Sequence, residues 1–272
     1  MRQTYAYKPA TFFAITFLGT WLFGFIAAYL SYQKDMQALQ FLCMLPGLFA
    51  PYIAAMIMLY GAKNKDLRTD FWCKLSFYRI KLNFMPVLLL MVPVVVILAT
   101  AISLLFGEPA SQFLLSSDFN IWQGQGFLSL LILFIAPMLE EFGWRGYGVD
   151  SLRSKFNLMK TTLLFASLWA LWHLPLFFTK GYYQYELWHI GIIYALNFIV
   201  SILPAAILIN WIYYANNRSI AAAVWFHFML NLFSVIFQTT QFTKCIITVL
   251  LLIISSIIIM LNKKLFLEIT QK

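Results

Sequence analysis

The chain has 272 residues, of which 62% are hydrophobic and only 11% charged, with a mean hydropathy of +0.80. That mix excludes an ordinary water-soluble domain and points to a bilayer, where runs of about 20 apolar residues cross a hydrocarbon core about 30 Å thick as self-bonded helices. The net charge of +9 reads as membrane topology and attraction to anionic headgroups, and no nucleic-acid partner is expected.

From the N-terminus, the first apolar run covers residues 10–31. It is long, starts after Lys8-Pro9 and has no small-residue cleavage site behind it, so a spanning helix is expected and not a cleaved signal peptide. Further spanning helices are expected at 40–61, 84–106, 125–143, 161–178, 190–213, 219–238 and 243–262, eight in all. The sixth contains Asn197 and Pro204 and is the one open to a break or a tilt. Between the second and third, "KNKDLRTDFWCKLSFYRIK" (63–81) reads as an amphipathic segment lying on the membrane face with its aromatics at the interface. Cys43, Cys73 and Cys245 lack C-x-x-C spacing and are expected to be packing residues. With no internal repeat or soluble insertion, residues 1–272 read as a single all-α, multi-pass membrane domain.

An even number of spans puts both termini on one side. That side collects sixteen of the nineteen Lys and Arg residues: two in the N-terminal tail, six in 62–83, four in 144–160, Arg218 and three at the C-terminus. The other side holds Lys34, Lys180 and Lys244. The positive-inside rule therefore puts both termini in the cytoplasm, in the plasma membrane of a prokaryote or the endoplasmic reticulum of a eukaryote.

Ionisable side chains at membrane depth are costly and usually face a bundle interior where they mark function. Here they are Glu140 and Glu141 in the fourth helix, His173 in the fifth, and His227 with Asn231 in the seventh. A rise of about 1.5 Å per residue leaves Glu140 about 8 Å short of the cytoplasmic boundary. It puts His173 about 18 Å, His227 about 12 Å and Asn231 about 18 Å into their helices, which allows all four to meet in the cytoplasmic half. Adjacent glutamates point about 100° apart. Arg145, four residues after Glu141, is placed to neutralise it, leaving Glu140 to the cavity. His227 and Asn231, also four apart, project from one helix face. Blander readings exist for each: His227 and Asn231 as interhelical glue, and His173 satisfied by a backbone carbonyl beside Pro175. Trp169, Trp172 and Trp225 are assigned wall roles.

The motifs E-E-x-x-x-R (Glu140, Glu141, Arg145), aromatic-x-x-x-His (Trp169, His173) and H-x-x-x-N (His227, Asn231) lie in this order on successive apolar helices. Together they resemble the CAAX-protease and bacteriocin-processing family of intramembrane proteases, and length and motif positions are similar to archaeal-type homologues of the Ras-converting CAAX prenyl endopeptidase. The resemblance covers residues 10–262, with Trp169 where the family more often has phenylalanine. It implies hydrolysis after the prenylated Cys of a C-terminal C-a-a-X box, releasing the last three residues. The implied partners are a prenylated CAAX protein or peptide and the lipid bilayer. Glu140 and His173 would activate water, His227 and Asn231 would form an oxyanion hole, and Glu141 and Arg145 would support them. That scheme needs no cofactor and no metal. A zinc-dependent metalloprotease built from the same histidines and glutamate remains open, as do two other classes, a proton-coupled transporter and a non-enzymatic membrane scaffold.

Overall fold

The computed structural model describes residues 5–116 and 125–268. Arg2 and Lys272, counted in the charge asymmetry, lie outside the described residues. Each apolar run forms a helix: α1 (Pro9–Leu30), α2 (Gln37–Gly61), then α3 (Lys65–Lys74), α4 (Met85–Leu104), α5 (Gln125–Gly143), α6 (Val149–Arg153), α7 (Leu158–Trp172), α8 (Tyr183–Ile190), α9 (Ile192–Ala215), α10 (Ile220–Val235), α11 (Gln241–Leu261) and α12 (Lys263–Leu267). Among the described residues seven helices are long and apolar enough to cross a membrane, and α10 is a shorter apolar one. The protein is therefore an all-helical, multi-pass membrane protein. Leu18, Leu22, Leu90, Val94 and Ile253 stand exposed on the outside of the bundle, which suits hydrocarbon and not water.

The helices differ from the sequence expectation in four places. The fourth does not stop at 143: it passes through a π-helical turn, Trp144–Gly148, into α6. The fifth starts earlier, at an Asn157 side chain that accepts from the Lys160 backbone N–H, and ends at His173, after which Pro175 sits in a 3-10 turn, Leu174–Phe178. The sixth, α9, is one unbroken α-helix through Pro204, as membrane helices allow when neighbours absorb the freed backbone groups. Helix α8, ending at Gly191, had no apolar run to announce it.

The segment 63–81 departs most. Asn64 caps α3, and Trp72, Phe77 and Tyr78 are exposed as an interfacial segment requires, but Phe71 and Lys74 are buried. The reason is an ion cluster. Lys74 Nζ lies 2.9 Å from Asp150 Oδ2 and 3.5 Å from Asp70 Oδ2, and donates to the Gly146 carbonyl at 3.1 Å. Arg218, in the turn before α10, pairs with both aspartates, so that desolvation of its guanidinium is outweighed by Asp150 and its pKa is held above its usual value. Cys43 and Cys245 are half-buried, as packing residues would be, whereas Cys73 is exposed because it lies on the outer face of α3.

Helices α1 and α2 pack along their lengths, α2 packs on α5, and α10 sits among α4, α5 and α9. The α2–α5 contact is close because a Cβ on Gly143 would lie 2.4 Å from the Pro51 carbonyl carbon. That approach brings the end of α5 into the centre of the bundle.

Candidate active site

The last turns of α5 carry Glu140 and Glu141 on different faces, and they meet different partners. Glu141 is fully buried. Its Oε1 accepts from Arg145 Nη1 at 2.8 Å and from His227 Nδ1 at 2.9 Å. The expected i,i+4 pair thus forms even though the helix changes to π register between the two residues; such π turns recur at functional sites. Arg145, also fully buried, donates through Nε to Asn210 Oδ1 at 3.2 Å, and its guanidinium lies 4.8 Å from the Phe165 ring centroid. Asn210 in turn donates to Thr162 Oγ1 at 2.9 Å. A buried ion pair survives only when such added contacts replace lost hydration.

Glu140 faces a cavity. Its Oε2 accepts from Trp169 Nε1 at 3.0 Å and from Trp144 Nε1 at 3.3 Å, while Oε1 has no protein donor among the described residues. Trp169 is therefore more than the wall expected of it, because its indole N–H touches the carboxylate. Its backbone carbonyl accepts from His173 Nδ1 at 2.7 Å, and its ring meets the His227 ring edge-on at 5.2 Å.

His173 sits where α7 ends. A carbonyl can only accept, so Nδ1 carries the proton and Nε2 presents its lone pair. The backbone satisfies one ring nitrogen and leaves the other edge to the cavity. His227 and Asn231 lie one turn apart on α10. His227 donates through Nδ1 to Glu141, which fixes the ring and leaves Nε2 outward. The Asn231 carboxamide makes no hydrogen bond to another described residue.

Glu140, His173, His227 and Asn231 all line one cavity of about 1070 Å³, with apolar walls from α2, α4 and α5 such as Leu45, Val95 and Ile132. That volume exceeds what a small polar metabolite needs and suits a bulky apolar ligand. Glu141 and Arg145 lie behind this wall. Among the described residues no three His, Cys, Asp or Glu side chains converge closely enough to share a metal ion.

The sequence singles out neither Asn210 nor Trp144, and it gives Trp169 a wall role without its indole bond to Glu140. Asn210 carried the same signal as Asn231, an amide in an apolar run. The indole contacts carried none, because they depend on how α5 and α7 face each other.

Two comparisons bear on this site. Residues 122–233, which include every residue just described as touching Glu140 or Glu141, match the family described as type II CAAX prenyl endopeptidase Rce1-like. The chain is also 40% identical over 270 residues to the CAAX prenyl protease 2 of Methanococcus maripaludis, covering 98% of this chain and 99% of that relative.

Proposed function

The chain belongs to the Rce1-like family of type II CAAX prenyl endopeptidases, and on that premise we propose that it cleaves prenylated C-a-a-X proteins by a water molecule that Glu140 activates. It is a protease and not a transporter or scaffold. The prenylated cysteine enters the apolar part of the cavity with its lipid, and the scissile carbonyl lies beside Glu140. Glu140 Oε1 takes a proton from water while His173 Nε2 accepts a hydrogen bond from the same water and orients it. The hydroxide adds to the carbonyl carbon of the cysteine. The oxyanion so formed receives hydrogen bonds from the Asn231 amide and from His227 Nε2, the latter requiring the doubly protonated ring. Collapse breaks the C–N bond. The proton held by Glu140 passes to the leaving nitrogen, giving a prenyl-cysteine carboxylate and a free tripeptide.

One observation supports this reading: the Glu140 carboxylate is pinned through one oxygen by two indoles, which leaves its other oxygen without a protein donor among the described residues in a cavity that His173, His227 and Asn231 also line. The expected topology, both termini cytoplasmic, would place the site where a prenyl anchor delivers its substrate.

Mass spectrometry of a farnesylated C-a-a-X peptide incubated with purified protein tests the reading. Loss of the last three residues, unchanged by 1,10-phenanthroline, is the expected result. An intact peptide would overturn the activity, and loss to the chelator with recovery on added zinc would overturn the metal-free scheme.

A further inference from the structure

The cavity has a second polar end. His227, Asn231 and Ser234 line it from α10, at positions i, i+4 and i+7 of one helix face. Ser234 therefore stands about 10 Å beyond His227 along the axis. Just past it the chain turns into α11, whose first turn carries Lys244 into the same cavity beside Tyr182, Tyr183 and Gln184. Lys244 is the one lysine or arginine on the described wall.

Its ammonium is held against Tyr183. Nζ donates to the Tyr183 hydroxyl at 3.3 Å and lies 4.6 Å from that ring's centroid, while the hydroxyl's own proton goes to Gln241 Oε1 at 3.0 Å. Of its three N–H donors, one is used, and among the described residues no carboxylate pairs with it. The rings tie this end to the other: Tyr183 lies 6.4 Å from Phe198, and Phe198 lies 5.3 Å from His173. A lysine serving only to anchor the bundle in headgroups would extend away from the bundle along its apolar stem. This one is folded over a ring that faces the cavity.

We propose that Lys244, set by Tyr183, binds the free C-terminal carboxylate of the substrate, so that the cavity measures the three residues beyond the scissile bond. The proposal rests on the protease reading above. Three extended residues span about 10 Å, which matches the stretch from the His227–Asn231 end to the level of Ser234 and Lys244. The ammonium would then define both where the chain must end and that it must end in an acid.

The test compares a farnesylated C-a-a-X peptide with its C-terminal amide, using the full chain, Lys244→Met and Lys244→Arg. The parent should favour the acid over the amide by about 10- to 100-fold in kcat/KM, mostly through KM, as loss of a charged hydrogen bond implies. Lys244→Met should cleave the acid as poorly as the amide and the amide as well as the parent does, which also shows that the variant is folded. Lys244→Arg should keep most of the preference. Equal cleavage of acid and amide by the parent would overturn the inference and leave the protease reading intact. So would a Lys244→Met loss that falls alike on both peptides. Cleavage of neither peptide by the parent would instead overturn the activity, and the inference with it.

Discussion

At the scale of single residues, the two adjacent glutamates meet different partners. Glu141 is committed to Arg145 and His227, and Glu140 is held by indoles alone. Trp169→Phe keeps the ring and deletes one donor. It should lower kcat about tenfold with KM little changed, the cost of one hydrogen bond to a carboxylate, whereas an unchanged kcat would remove Trp169 from the positioning of Glu140. Glu141→Gln should act differently. It leaves Arg145 uncompensated in the interior, so the apparent melting temperature in detergent should fall by the equivalent of about 3 kcal/mol or more. A melting temperature equal to that of the parent would show that the pair is not what holds the site together. The Glu141–Arg145 pair was legible in the sequence because its spacing is local to one helix. Asn210 closing on Arg145 was not, since nothing in a linear reading says which face α9 turns toward α5.

Among the secondary-structure elements, hydrophobic run length located every spanning helix, because in lipid the backbone has no alternative to bonding itself. It could not locate the π turn at Trp144–Gly148, which lies just past the end of the fourth apolar run, nor α8, which is too short and mixed to stand out. The burial of Lys74 was equally invisible, as its partner Asp150, which Arg218 shares, is far away in the chain. The α2–α5 contact gives an element-level prediction. At Gly143 a methyl group would meet Pro51 backbone at 2.4 Å, while at Gly61, the last residue of α2, it would meet nothing within 4 Å. Gly143→Ala should destabilise the protein by about 1–3 kcal/mol or more, and Gly61→Ala should be neutral or stabilising by up to about 1 kcal/mol. Thermal unfolding of the two variants side by side decides it, and equal melting temperatures would contradict the close packing.

For the whole molecule, the bundle holds a cavity lined by the acid, imidazoles and amide and, among its described residues, by a single lysine, with exposed apolar helix faces around it. The charge asymmetry that the sequence displays proposes which way this bundle sits. Cys73 offers a native probe, because it is exposed on α3 while Cys43 and Cys245 are half-buried. A membrane-impermeant maleimide should label Cys73 in inverted vesicles and not in right-side-out ones; the reverse pattern would put the termini and the site on the wrong leaflet for a cytoplasmic prenylated substrate.

The central claim is that Glu140 activates the attacking water while its neighbour only holds the frame. The direct measurement is kcat for Glu140→Gln on a farnesylated C-a-a-X peptide, taken with its melting temperature. The account predicts a fall of about 100- to 10,000-fold at a melting temperature close to that of the parent. Retention of kcat within a few-fold, in a protein that remains folded, would contradict it.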